Sequence, residues 1–294
     1  MQFGLSLPQF GPFGDVRKLV ELAQVAEDAG WDAFFIWDHM IFDDFWRPVV
    51  DPWVALAAIA MATTRIRIGT LVTPVARRRP WKLARESASL DQLSGGRLIL
   101  GVGLGSPEKW EFGFFGEETD NRIRAEKLDE GLEILLGLWS GELFGFQGKH
   151  YQLEEMRFLP TPLQQPRIPI WVAGMWPNKA PMRRAARYDG AVPLKAQGTL
   201  TPDEWRDALA YIRQHRISDE PITAVAMGVT PGVTPGEDRA QADEIVAAYA
   251  DAGCNWWVED ISPYGYGLPW NVGEWPADMA DRLAERIRQG PPTG

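Results

Sequence analysis

Cysteine is almost missing from the chain, with one residue, Cys254, in 294. A single thiol cannot form an internal disulfide, which excludes a disulfide-stapled secreted scaffold and fits a reducing cytoplasm. Histidine is nearly as scarce. His39, His150 and His215 fall in a loop, an irregular stretch and a helix end, too scattered for the multi-histidine sets of zinc hydrolases, so no metal site is expected. No apolar run approaches the ~20 residues of a membrane span. The first residues, MQFGLSLPQFGPFGD, lack the basic start and apolar stretch of a signal peptide. Positive charge is in deficit too. Thirty Lys and Arg stand against 40 Asp and Glu, and the net charge of −10 argues against nucleic acid or an anionic membrane as partner. It leaves room for an anionic cofactor, because a local basic cluster can bind one.

Tryptophan, by contrast, is abundant, with 14 residues. Most are expected to fill core. Trp37, Trp176, Trp256 and Trp257 instead fall at or near strand ends, where flat side chains could line a pocket for a flat ring. The rest of the chain alternates short apolar runs with amphipathic stretches. Phe3 to Leu7, Ala33 to Trp37, Ile66 to Thr70, Arg97 to Val102, Ile168 to Ala173, Gly190 to Pro193, Ile222 to Met227 and Asn255 to Val258 read as strands covered on both faces. Helices are expected over Val16–Ala29, Pro52–Thr63, Trp81–Leu93, Asn121–Trp139, Lys179–Arg187, Pro202–His215, Arg239–Ala252 and Trp275–Gln289. Thr201 and Glu204 have capping-box spacing at the sixth of these helices. Residues 141–167 break the rhythm with Gly, Pro and aromatics, and read as an excursion holding a short hairpin. Eight strand–helix units without a linker predict an α/β (β/α)8 TIM barrel, one domain over 1–294, with the excursion an insertion after the fourth long helix.

Chemistry in such a barrel belongs at the carboxyl ends of the strands. Those ends are Pro8-Gln9, Asp38-His39, Thr70-Leu71, Gly103-Leu104-Gly105, Gly174-Met175-Trp176, Pro193-Leu194, Gly228 and Glu259-Asp260. Asp38-His39 pairs an acid with the one side chain that titrates near neutrality. The bland alternative is a helix-capping aspartate beside a satisfied loop histidine. Glu259 is either a buried acid of the site or a member of a supporting network, and the second is favoured.

Several of these stretches together resemble the bacterial luciferase-like monooxygenase superfamily, particularly its branch that uses the deazaflavin coenzyme F420. They are Gly30-Trp31-Asp32 through Trp37-Asp38-His39, Ile68-Gly69-Thr70 through Thr73-Pro74, and Ser89 to Arg97 (SLDQLSGGR) through Gly101-Val102-Gly103-Leu104-Gly105. Phe158 to Pro162 (FLPTP), Gln165 to Gly174 (QPRIPIWVAG) and Ala185 to Gly190 (AARYDG) complete the set. The resemblance implies a cofactor in the barrel mouth, lying across the strand ends. It implies a non-proline cis peptide in a bulge of the third strand, carried here onto Thr70-Leu71. In F420-using relatives the strand-two aspartate orients the histidine, so Asp38 is expected to hold His39, and His39 to handle a proton coupled to hydride transfer. Phosphate contacts are expected from Gly103, Leu104, Gly105 and Ser106 and from Gly174, Met175 and Trp176, with Ala173 also expected to bind the cofactor. Arg77-Arg78-Arg79 either faces the acidic tail of F420 or is a solvated charge run.

The chain departs from sugar-phosphate dehydrogenases of that superfamily. Where they carry an aromatic residue four or five positions after the histidine it has Asp43 and Asp44, and after the strand-four glycines it has Ser106-Pro107-Glu108 rather than an immediate acid. These departures put a sugar-phosphate substrate in doubt, and the leading expectation is F420-dependent hydride transfer to or from a small organic substrate. The alternative is an FMN-dependent monooxygenase that uses oxygen and an external cofactor reductase. A glycosidase built on Glu108 and Glu259, and a non-catalytic flavin-binding protein, are more remote. Aromatic residues in the loops after strands two, four and eight (Phe42, Phe45, Trp46; Phe112, Phe114, Phe115; Tyr264, Tyr266, Trp270) suggest an apolar, flat or bulky substrate. Relatives commonly form homodimers, and one is expected here.

Overall fold

The structure is a computed structural model that describes residues 1–43, 45–196, 198–231, 240–268, 275–276 and 278–292. Asp44, Arg239 and Trp270 lie outside the described residues. Strands β1 (Gln2–Leu7), β2 (Ala33–Ile36), β3 (Arg67–Pro74), β4 (Leu98–Gly103), β5 (Leu143–Gln147), β6 (Gln152–Arg157), β7 (Ile170–Met175), β8 (Gly190–Leu194), β9 (Thr223–Gly228) and β10 (Trp256–Asp260) follow in order. Eight of them close into a parallel barrel ordered β1-β2-β3-β4-β7-β8-β9-β10, and β5 and β6 pair as a separate antiparallel hairpin. The barrel and the hairpin in the excursion are as the sequence predicts.

Helices α1 (Val16–Asp28), α2 (Pro52–Ala62), α3 (Pro80–Leu93), α4 (Glu108–Glu111), α5 (Asn121–Trp139), α6 (Lys179–Ala185), α7 (Pro202–Gln214), α8 (Ala240–Asp251) and α9 (Met279–Arg288) surround it. Their starts are chemically marked. Asp15, Asp51 and Asp120 accept backbone N–H bonds at the first turns of α1, α2 and α5, and Thr201 with Glu204 forms the full capping box of α7. The last helix starts at Met279 rather than Trp275. Pro276 disfavours helical geometry for the residue before it, and Trp275 packs its ring against Phe10 and Tyr264.

Two apolar layers result from strand alternation. Outward side chains such as Leu5, Phe34, Ile68, Leu100 and Val172 join the helices in the main core. Inward ones form a smaller cluster inside the barrel, where Phe35, Trp171 and Trp256 stand 5.2 and 5.0 Å apart in sequence along the stack. Trp256 is therefore a barrel filler and not a pocket wall. Truncating Phe35 or Trp171 to Ala would cost about 3–5 kcal/mol.

The amino-terminal end of the barrel is tied shut by polar side chains. Arg97 donates to the carbonyls of Ser94, Ala60, Thr63 and Ile66 and to Thr63 Oγ1, capturing the ends of α2 and α3 that a helix leaves unpaired. Buried Asp91 accepts from the backbone N–H groups of Leu163 and Gln164 at 2.8 and 2.9 Å, which fastens the excursion to α3. No described helix is long and apolar enough to cross a membrane.

Candidate active site

The mouth is shaped first by a bulge in β3. Thr70 pairs with Leu100, but the next pair is Thr73 with Val102, so β3 carries one extra residue. Leu71 and Val72 consequently both face the barrel interior, while Thr73 Oγ1 turns the other way, donating to Asp38 and lying 2.8 Å from Thr70 Oγ1. The non-proline cis peptide lies in this bulge at Leu71-Val72, one residue beyond the expected Thr70-Leu71. Thr70 still holds its regular ladder partner, so the irregularity starts only after it.

Facing glycines of β4 make the bulge possible. A Cβ on Gly101 would meet Leu71 Cδ1 at 2.9 Å, and one on Gly103 would meet Val72 Cγ2 at 2.9 Å. Gly103 thus receives a protein side chain, where a cofactor phosphate was expected. Gly105 has φ +80° and lies against Pro74, and Leu104 and Gly105 both give their carbonyls to Arg124. Gly174 lets β7 approach Pro181 of α6. Ser106 and Met175 are exposed, and Trp176 is half-buried under Lys179 at 3.8 Å and beside Tyr211. Leu71, Val72, Ala173, Leu194 and Met227 are left as an apolar floor at the strand ends.

At one edge of this floor stands His39. Its ring is boxed edge-on by Phe10, Trp37 and Phe42 at 5.0 to 5.8 Å, and its side chain is 14% exposed. Nδ1 lies 3.0 Å from Glu111 Oε1 on α4. The same carboxylate accepts from Met40 N and Ile41 N and pairs with Arg77 Nη1 at 2.8 Å, all with no exposure of its own. With Nδ1–H donating to a carboxylate, Nε2 carries the lone pair.

Asp38 does not hold the histidine. Successive strand residues point to opposite faces, and Asp38, 2% exposed, turns away from His39. It accepts from Arg78 Nε at 3.0 Å, Thr73 Oγ1 at 3.0 Å, Trp53 Nε1 at 3.4 Å and from Arg77, whose Nη2 also reaches the Asp38 carbonyl. Burial works against its charge, but Arg78 and Arg77 outweigh it and hold the carboxyl below the usual carboxylate range. Arg78 is in turn raised by Asp38 against the effect of burial. Arg77 and Arg78 are therefore a buried charge pair for Asp38 and Glu111, neither a solvated run nor a phosphate grip; only Arg79 of the three is exposed.

The remaining candidates separate cleanly. Glu259 points out of the barrel, where Thr230 N at 2.6 Å, Thr230 Oγ1 at 2.9 Å, Trp257 Nε1 at 2.9 Å and Arg286 at 3.5 Å enclose it, so it is the network member the sequence favoured. Burial raises its carboxyl, and Arg286 opposes. Glu108 is engaged by Arg124 at 3.2 Å. The two acids do not form a facing glycosidase pair. His150 binds Glu126 and His215 binds the Tyr211 carbonyl, and among the described residues no group of ligand side chains could hold a metal.

A flat heterocycle fits this mouth. The floor is apolar, His39 stands at a neighbouring strand end with Nδ1 committed to Glu111, and buried Gln9, which donates to the His39 carbonyl, keeps Oε1 without a hydrogen-bond partner among the described residues. An N–H on the ring's edge would satisfy that acceptor.

The fold is a parallel α/β barrel with His39 and an apolar floor at its carboxyl end. Residues 1–290 match the family described as luciferase-like monooxygenase, and the chain belongs to that family. The F420-dependent glucose-6-phosphate dehydrogenase of Gordonia bronchialis is 34% identical over 205 residues, 67% of this chain and 57% of that protein. The chain thus matches little more than half of that relative's length. An F420-dependent secondary alcohol dehydrogenase, solved with an F420-acetone adduct, superposes with a TM-score of 0.75 at 18% identity over 98% of both chains. The monooxygenase RslO1 of Streptomyces bottropensis superposes with a TM-score of 0.73 at 23% identity, covering 97% of this chain and 98% of the other.

Proposed function

We propose that the protein is an oxidoreductase that moves a hydride between F420 and a small organic substrate at the barrel mouth. The observation that carries this reading is His39, fixed by Glu111 through Nδ1 at the carboxyl end of β2, together with the apolar floor of Leu71, Val72, Ala173, Leu194 and Met227 at the other strand ends. F420-dependent dehydrogenases among the relatives and structural neighbours agree with it. Leu71, Val72 and Ala173 would lie under the ring and Gln9 would meet its polar edge, with Leu104, Gly105, Ser106, Met175 and Trp176 bordering its tail. Bound F420 supplies the hydride acceptor or donor. The protein's part is to orient the ring, keep water from its face and exchange the substrate's hydroxyl proton through His39 Nε2, while Glu111 steadies the imidazolium.

Three cationic side chains near the strand ends are held by carboxylates. Arg77 and Arg78 face Asp38 and Glu111, and Lys195 sits on Glu204 at 2.7 Å. A homodimer and a cytoplasmic location belong to the same reading, and a reductase partner belongs only to an FMN enzyme.

The test is titration of the cofactor-free protein with F420 and, separately, with FMN, following quenching of each fluorophore. Saturable binding of F420 in preference to FMN is expected, followed by bleaching of F420 absorbance with a secondary alcohol. Tight FMN binding with no F420 binding would overturn the proposal in favour of an oxygen-using enzyme.

A further inference from the structure

A second ionisable side chain faces the mouth from β10, on the far side of β1 from β2. Along β10, Trp256 and Val258 belong to the interior cluster while Trp257 and Glu259 turn outward, so the strand's alternation puts Asp260 on the inner face at its carboxyl end. It stands in register with Ser6 of β1, whose hydroxyl accepts from Trp37 Nε1 at 3.0 Å, and the Trp37 ring lies 5.8 Å from that of His39. Asp260 and His39 therefore flank one rim, with Ser6 and Trp37 between them. Asp260 is half-buried, and its Oδ1 has no hydrogen-bond partner among the described residues.

We propose that Asp260 is a specificity-determining residue, whose carboxyl group hydrogen-bonds an uncharged hydroxyl or carbonyl oxygen of the substrate. The proposal rests on the mouth being the substrate site and narrows the substrate to neutral oxygen-bearing molecules. An orphaned carboxyl oxygen inside a low-dielectric mouth is costly unless a ligand pairs with it. Its protonation state fits the role. Burial pushes the carboxyl up to about 7, the neighbouring Glu259 charge adds to this, and hydrogen bonds from Ser262 oppose it. Glu259 is the one charged group whose field acts on it among those described; across β1 it meets the neutral Ser6, and above it the turn brings Ser262 and Gly265. A neutral carboxylic acid donates to a carbonyl and accepts from a hydroxyl, but a carboxylate repels an anionic ligand.

The experiment uses cofactor-free full-length protein and cyclohexanone as the neutral probe, with cyclohexanecarboxylate as its anionic counterpart, both read by saturation-transfer NMR. With the carboxyl titrating at about 7, cyclohexanone affinity should fall roughly 30-fold between about pH 6 and about pH 8.5 if only the protonated form binds. Asp260→Asn should bind cyclohexanone with a flat profile, Asp260→Leu should lose binding, and cyclohexanecarboxylate should not bind the wild type at the higher pH. A flat wild-type profile, undetectable cyclohexanone at the lower pH, or Asp260→Leu binding like wild type overturns the proposal. F420 quenching measured on the same samples keeps the two readings apart. Intact F420 binding with a flat cyclohexanone profile defeats only the role of Asp260, whereas absent F420 binding with the pH response intact defeats only the choice of cofactor.

Discussion

Replacing Glu111 with Gln changes one atom and should disturb both stability and catalysis. The carboxylate is fully buried and receives His39 Nδ1, Met40 N, Ile41 N and Arg77 Nη1. Gln can still accept through one oxygen, but its NH2 must face a donor, either Arg77 or His39. Breaking one side of a buried ion pair costs about 3–5 kcal/mol. Arg77 keeps Asp38, so a loss of about 2–4 kcal/mol is expected. For 294 residues the unfolding entropy is about 0.6 kcal/mol per degree, which converts that loss to a Tm drop of about 3–6 °C. Without its anchor His39 can rotate or adopt the other tautomer, and kcat should fall about 100-fold while F420 affinity changes by less than about threefold. Differential scanning fluorimetry, F420 quenching and steady-state bleaching of F420 measure the three quantities. A Tm within about 1 °C of wild type together with unchanged kcat would show that Glu111 neither holds Arg77 nor orients His39.

Asp38→Asn removes a carboxyl whose folded pKa lies below its unfolded value. The stability it gives is present above the unfolded pKa and lost as pH falls through the folded one, so the variant's Tm deficit should be full at neutrality and shrink in acid. Asp260→Asn should do the reverse. A carboxyl raised to about 7 penalises folding increasingly from about pH 4 to pH 7, so the variant should gain stability over wild type at about pH 8, by at most about 4 kcal/mol, and match it near pH 4. Gly103→Ala places a methyl against Val72 Cγ2 at 2.9 Å and should cost about 1–3 kcal/mol and weaken cofactor binding. Adding Val72→Ala should recover most of both, and strict additivity of the two changes would deny the contact.

The barrel was legible because short, mostly apolar strand runs alternate with helical stretches, and because Thr201 with Glu204 marks a helix start. His39 was legible for the same reason, as a titratable group at a strand end. Its partner was not. Asp38 adjoins His39 in the chain, but adjacency along a strand means opposite faces, so nearness in sequence pointed to the wrong carboxylate. Glu111 comes from a four-residue helix 72 positions away, and nothing in local pattern announces such a contact. Arg77 and Arg78 read as either a contact for the F420 tail or a solvated run; only the fold reveals the two carboxylates they meet. The β4 glycines signalled close approach correctly, yet what approaches is Leu71 and Val72. Asp260 was visible as a strand end, but its inward aim follows from knowing which of Trp256 and Trp257 fills the barrel.

Arg97 and Asp91 sit at the end of the barrel that does no chemistry, and there the strands, two helix ends and the excursion are clamped by bonds from charged side chains to main chain. Strand register is thereby set far from the loops that would choose a substrate. Those loops can lengthen, shorten or change composition without the scaffold having to relearn how to assemble. A single locked base thus frees the opposite rim to diversify, and relatives bearing the same barrel can turn over quite unlike molecules.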